Sequence, residues 1–249
     1  MKEDKIKDSV ASFYKNVAEN KKQVQVDSKN ISASLGYSQE ELASVPEEAN
    51  MGLGCGNPQE KAQPKPGEQI LDLGCGKGMD VFIAAKKVGD TGFVTGVDMT
   101  LSMIQVARKI AAKRKYENVA FRLGEIEHLP IPSNSMDLVM SNCVINLSVD
   151  KQACYDEVYR VLKEGGRIGI SDTMLKKHLP KEVLEDPKMY GSCIAGASTY
   201  EELEAILRKA GFKNIDIETK EVSDEYAKKW GVEIDLKEYL MSAITTAYK

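Results

Sequence analysis

Histidine is scarce in this chain of 249 residues: only His128 and His178 occur, too few for a metal centre built on imidazoles. No two cysteines form a C-x-x-C pair. Cys55, Cys75, Cys143, Cys154 and Cys193 are an odd number at wide spacing, unlike a secreted disulfide framework. No apolar run comes near the roughly 20 residues that a membrane helix needs. The opening Met-Lys-Glu-Asp-Lys-Ile-Lys-Asp mixes charges around no apolar centre, which does not resemble a signal peptide. There is no basic block and the net charge is −4, so nucleic acid is not expected as the main partner. Internal repeats and low-complexity tracts are absent as well. What remains is an ordinary globular composition, 42% hydrophobic and 29% charged, expected in the cytoplasm with no membrane association.

The most informative stretch runs from Ile70 to Gly78, Ile-Leu-Asp-Leu-Gly-Cys-Gly-Lys-Gly. Its apolar half predicts a buried parallel strand. Its second half puts Gly74, Gly76 and Gly78 at alternate positions, where a backbone without Cβ atoms can turn tightly and lie against a ligand. An apolar helical stretch through Val81, Phe82, Ala84, Ala85 and Val88 follows, with Gly89 as its stop. Strand, turn and helix form half of a nucleotide-binding βαβ unit. Met79 stands where a dinucleotide fingerprint needs its third glycine, and no Gly-Lys-Ser/Thr follows, which disfavours a triphosphate loop. A second strand, Phe93 to Val97, ends in Asp98, placed to accept ribose hydroxyls or to cap the next helix; the two roles can coexist.

The combination resembles S-adenosylmethionine-dependent methyltransferases of the Rossmann-like class. That resemblance implies that Asp72 and the turn residues Gly74, Cys75 and Gly76 hold the methionine part of the cofactor. It also implies that Asp98 and Met99 hold the ribose. The loop from Gly124 to Pro130 would then lie beside the adenine, with Glu125 accepting from the amino group and the Ile126 amide donating to a ring nitrogen. A solvated acidic loop is the alternative for Glu125. Asn142 belongs at the same cofactor rim.

In order, the chain predicts an amphipathic helix over residues 4 to 20, a polar linker from Lys21 to Asn30, and a capping box of Ser38 and Glu41 on a short helix ended by Pro46. Met51 to Pro58, with three glycines around Cys55, cannot be regular structure. Helices are expected over Leu101–Lys115 and Asp150–Lys163. Strands are expected over Val119–Leu123, Met136–Ser141, Arg167–Asp172, Asn214–Thr219 and Leu240–Tyr248. An insertion over 174–198 precedes a helix capped by Ser198 or Thr199 and stopped by Gly211. The expected architecture is α/β: a doubly wound, seven-stranded, mostly parallel sheet with helices on both faces. A helical arm and glycine-rich loop over 1–65 would precede a cofactor-binding domain over 66–249 that carries the insertion as a lid.

Ligands of such sheets bind at the carboxyl ends of the strands. Cys143 directly follows strand four, Cys193 lies in the insertion after strand five, and Cys55 lies in the loop that enters strand one. Three thiols from distant loops can thus meet above one cofactor, although free cysteine is often an ordinary buried residue. Cys154, at helical spacing with Val158, Val161 and Leu162, belongs to the core. Three soft thiolates without a fourth ligand suit a thiophilic centre such as three-coordinate arsenic. Leu53-Gly-Cys-Gly56, Val97-Asp-Met-Thr100, Gly124-Glu-Ile-Glu127, Ser141-Asn-Cys-Val-Ile-Asn-Leu147 and Cys193-Ile-Ala-Gly-Ala197 together are similar to the arsenite S-adenosylmethionine methyltransferases. That resemblance implies arsenic(III) bound by Cys55, Cys143 and Cys193, and in-line attack of its lone pair on the sulfonium methyl. The substrate would be arsenite delivered as a thiol conjugate, and a thiol reductant such as glutathione or thioredoxin would serve further rounds. Many relatives carry another cysteine upstream of the glycine-rich loop; here there is none. Methylation of another small acceptor, such as a quinone precursor, and non-catalytic binding of cofactor or metalloid are the competing readings.

Overall fold

The computed structural model describes residues 3–18, 28–180, 193–222 and 236–249. Eight strands form one sheet: β1 (Gln69–Leu73), β2 (Phe93–Asp98), β3 (Val119–Leu123), β4 (Met136–Asn142), β5 (Leu162–Leu175), β6 (Ser198–Thr199), β7 (Lys213–Glu221) and β8 (Leu240–Tyr248). The order is β3-β2-β1-β4-β5-β8-β7, and the two-residue β6 pairs with the end of β5. Strands β1 to β5 run parallel, and β8 is antiparallel to both neighbours. The seven long strands expected from sequence are all present.

The central strands are apolar on both faces because helices cover both. On one face α5 (Met79–Val88) and α6 (Leu101–Arg114) bury Val81, Phe82, Ile104 and Ala107 against Ile70, Val94 and Leu138. On the other, α7 (Lys151–Val161) and α8 (Tyr200–Ala210) bury Val158, Val161 and Leu207 against Leu71, Val139 and Ile168. Cys154 is fully buried in this second core, as its helical spacing indicates. Thr199 caps α8 through a complete capping box with Glu202, and Gly211 closes the helix at φ 105°.

Two boundaries differ from the sequence reading. Leu162 and Lys163 belong to β5 rather than to the preceding helix, and β5 continues past Asp172 to Leu175. The strand survives Gly165 and Gly166 because Gly165 N–H donates to the Lys249 carbonyl and Lys249 N–H to Gly166, pairing both glycines with the end of the chain. Ser28 to Asn30, read as linker, begin the helix α2 (Ser28–Ser34). Residues 181–192 of the expected lid lie outside the described residues.

The N-terminal helices are tied to the sheet by specific bonds. The α1 helix (Glu3–Ala18) reaches the β3–β4 loop through Lys7, which pairs with Glu125 at 2.7 Å. The α3 helix (Gln39–Ser44) carries the expected capping box, with both Ser38 and Glu41 bonds formed. The short α4 (Pro58–Ala62) packs on β5, where a Cβ at Gly169 would meet the Ala62 methyl. Arg167 of β5 donates to the carbonyls of Ala62 and Gln63 and pairs with Glu68 at 2.6 Å, nearly buried. The sheet thus fixes the C-terminal end of the segment that carries Cys55.

Candidate active site

A cavity opens at the carboxyl ends of β1, β2 and β4, where the strand order reverses. The turn after β1 forms its floor. Gly74 has φ +61°, and a Cβ there would collide with Val144; Gly76 has φ +52°, and its Cβ would meet Met51. The glycines therefore let the chain's own loops close over the turn as well as opening it to a ligand.

Three carboxylates, Asp72, Asp80 and Asp98, surround this floor. Among the described residues no hydrogen bond reaches Asp72, which is 3% exposed. Burial pushes its carboxyl well above the ordinary range, and the charges of Asp80 and Asp98 push the same way. Burial also raises Asp80, against bonds from Gln59, Tyr37 and Asn142 that favour its ionised form. Asp98 is raised by burial too, although the amides of Thr100 (2.8 Å) and Gly76 (2.9 Å) donate to its two oxygens. Asp98 thus braces the start of α6 and the glycine turn, as its capping reading requires. A cluster of buried carboxylates, one without a donor, suits a ligand that brings positive charge and N–H or O–H groups. S-adenosylmethionine brings an ammonium, a sulfonium and two ribose hydroxyls.

The part of the cavity where the sequence reading set the adenine is lined by a different acidic residue. Ile126 and Met99 line the cavity, but Glu125 does not; its side chain is 51% exposed and held by Lys7. Glu127 faces the cavity instead and accepts from Ser148 Oγ at 2.6 Å. Lys7, Val10 and Tyr14 of α1 also line it, so the arm contributes to the wall. Cys75 is buried in the core cluster of α5 and α6 and lines the cavity as a small residue; a Cβ at Gly96 would strike its sulfur at 2.7 Å.

At the opposite end the cysteines converge. The sulfurs of Cys55 and Cys143 are in contact, with Cα atoms 5.6 Å apart, a separation that a disulfide can span, and Cys193 donates from Sγ to the Cys143 carbonyl at 2.9 Å. Cys75, Cys154 and Cys193 are not bridged. Cys143 and Cys193 both have left-handed backbones, φ 57° and 62°, conformations that side-chain-bearing residues rarely adopt. The ligand atoms that lie within 4.8 Å of one another are those of Cys55, Cys143 and Asp172; Cys193 is not in that set.

The Ser141-to-Leu147 stretch acquires a physical meaning here. Asn142 Nδ2 donates to the Gly56 carbonyl and to Tyr37 Oη, both at 2.9 Å, while its Oδ1 accepts from Cys55 N–H at 3.0 Å. Tyr37 in turn donates to Asp80 at 2.9 Å. Asn146 donates from Nδ2 to Asp172 at 2.8 Å, and Cys55 Sγ lies 3.2 Å from Thr173 Oγ1. Burial moves the Asp172 carboxyl up to about 7, against backbone bonds from Thr173 and Asn146. Tyr37, Asp80, Asn146 and Asp172 escaped the sequence reading. Two of them carried a signal: Asp172 by its place at the carboxyl end of a central strand, and Asn146 by its place in the Ser141-to-Leu147 motif.

Strand order, crossover helices and glycine turn are those of the Rossmann-like class I methyltransferases. A family model described as a methyltransferase domain matches residues 64–211. The crystal structure of an arsenic(III) S-adenosylmethionine methyltransferase from Chlamydomonas reinhardtii aligns with TM-score 0.71 and 37% identity, covering 84% of this chain and 72% of that one. The chain belongs to the arsenite S-adenosylmethionine methyltransferase family. It is 49% identical to an arsenite methyltransferase of Halobacterium salinarum over 88% of its own length and 56% of that protein's. To the human arsenite methyltransferase it is 41% identical over 54% of its length and 38% of the relative's. The chain thus spans about half the length, or less, of these curated relatives. S-adenosylmethionine is the cofactor of the fold, and the acidic, glycine-floored cavity fits it. No described helix is long and apolar enough to cross a membrane.

Proposed function

We propose that the chain methylates trivalent arsenic held by the thiolates of Cys55, Cys143 and Cys193. The observation that carries this reading is that Cys143 and Cys193, both in left-handed backbone conformations, line one end of the cofactor cavity, with the Cys55 sulfur against that of Cys143. Asp72 would accept from the methionine ammonium, with Gly74, Cys75 and Gly76 against the same half of the cofactor. Asp98 would take the ribose hydroxyls, Met99 and Ile126 the sides of the adenine, and Glu125 or its neighbour Glu127 the polar edge. Asn142 would hold the Cys55 loop at the cofactor rim.

When bound, S-adenosylmethionine supplies an electrophilic methyl group on a sulfonium. The protein's part is to capture and aim the acceptor. Each thiol that binds arsenous acid forms one S–As bond and releases one hydroxyl, which leaves as water with the thiol proton. The bound metalloid keeps its lone pair and has no proton to lose, so no general base is required. The cysteines bind arsenic only when reduced: where Cys55 and Cys143 are oxidised to a disulfide, two small thiols, such as glutathione, become one disulfide as the protein regains two thiols. Dependence on reduced cysteines suits a cytoplasmic setting.

The test is incubation of each Cys→Ser variant with arsenite, glutathione and labelled cofactor, followed by speciation of the arsenic. Serine offers a hard, protonated hydroxyl in place of a thiolate, so each replacement should largely abolish the first methylation while cofactor affinity survives. Near-normal methylation in any one variant would sink the three-thiolate site and favour another small acceptor. Tight metalloid binding by the unaltered protein without turnover would leave a binding protein.

A further inference from the structure

Cys55 faces a different space from the other two cysteines. Cys143 and Cys193 line the cofactor cavity and Cys55 does not. Cys55 lines a second cavity of about 150 Å³ that it shares with Gly56, Thr173, Ser242 and Ile244. Its floor is buried: Cys55 is 2% exposed and Thr173 is 3%. Its rim, Ser34, Glu60, Lys220 and Glu221, is exposed to solvent. The adjacent sulfurs of Cys55 and Cys143 therefore stand as the partition between two cavities.

Relying on the arsenic reading of those thiols, we propose that the second cavity is the port by which arsenic(III) reaches them, as the small uncharged trihydroxide, while the cofactor occupies the first. Size supports the trihydroxide. A cavity near 150 Å³ accommodates about six heavy atoms, as benzene shows in an engineered one. Arsenous acid has four heavy atoms, whereas arsenic carrying three tripeptide thiols has dozens and must shed them outside. Polarity agrees: the rim charges are paired, Lys220 lying 3.5 Å from Glu60 and Lys176 holding Glu221, and the hydroxyl oxygens of Ser34 and Ser242, which donate to the Ile31 and Cys55 carbonyls, keep lone pairs that can accept from a neutral hydroxylated solute. Separate entrances also fit the order of events, because arsenic can bind and leave without displacing the cofactor.

The port is tested without relying on turnover. Reduced protein saturated with S-adenosylhomocysteine is treated with iodoacetamide, and labelling of each cysteine is followed by mass spectrometry. Cys55 should label while Cys193 is protected, and Ser34→Trp, which fills the mouth, should slow Cys55 labelling at least tenfold with unchanged S-adenosylhomocysteine affinity. Lys220→Trp provides a second plug should Ser34→Trp fail to bind S-adenosylhomocysteine. Protection of Cys55 equal to that of Cys193, or labelling indifferent to a folded plug variant, would overturn the port. With arsenite as substrate, the plug should raise KM at least tenfold and leave kcat in place. Failure of the unaltered protein to methylate arsenite would sink the proposed activity and leave the labelling result to decide the port.

Discussion

Asp72 is the residue at which folding and ligand binding conflict most openly. Its carboxyl is buried and raised well above the ordinary range, so the folded protein holds its proton more tightly than the unfolded chain does. Stability attached to such a group is greatest below the unfolded value and declines as pH rises from about 4 toward the raised value. Asp72→Asn removes that penalty. The variant should gain more stability over wild type at pH 8 than at pH 5, read from urea midpoints, while binding S-adenosylmethionine at least tenfold more weakly. An equal stability difference at both pH values would show that Asp72 is already ionised at pH 5 in the folded protein, and that its carboxyl is not raised.

Cys154 tests the assignment of the cysteines from the opposite side. It is fully buried among Val158, Val161 and Leu162, and burial pushes its thiol up to about 12, the state of an inert core residue. Cys154→Ala should cost about 1 kcal/mol of stability, the usual scale for a small core deletion, and spare arsenite methylation. Loss of metalloid capture with folding preserved would mean that the wrong three cysteines have been chosen.

Between elements, the Arg167–Glu68 pair holds the short α4, and with it the Cys55 loop, against β5. The side chains are only 11% and 14% exposed, so removing one partner strands the other charge. Arg167→Met should therefore cost about 3–5 kcal/mol in chemical denaturation, and Arg167→Met with Glu68→Leu should recover most of it. If the double variant is no better than the single one, the lost bonds to the Ala62 and Gln63 carbonyls dominate. The same elements show what could be read locally. The Ser38 capping box and the Gly211 stop of α8 follow short-range rules and formed where the sequence placed them, and Thr199 is the one of the two candidate caps that starts α8. The junction of α7 and β5 did not: Leu162 and Lys163 continue a helical pattern, and the pairing of Leu162 with Met136 of β4 decided otherwise.

At the scale of the whole molecule, α1 closes part of the cofactor cavity through Lys7, Val10 and Tyr14, with Val10 1% exposed. Deleting residues 1–20 should leave the sheet folded by circular dichroism and weaken S-adenosylhomocysteine binding about tenfold or more in calorimetric titration. Unchanged affinity would make the arm a bystander.

The sequence by itself determined the sheet, the glycine turn, Asp98 and the three candidate thiols. Each rests on periodicity, on a residue whose chemistry is rare, or on its place at a strand end, and all of these act over a few neighbours. Tertiary structure alone decided the rest. It exchanged Glu125 for Glu127 at the cavity, because Lys7 of α1 pairs with Glu125 at 2.7 Å across 118 residues. It brought Asp172 to the sulfurs and Tyr37 to Asp80 and Asn142, contacts set by strand order and loop closure. It also put Cys55 on a separate cavity from Cys143 and Cys193. A sequence can bring three thiols to one rim; which side each one faces depends on backbone paths that fold together from distant parts of the chain.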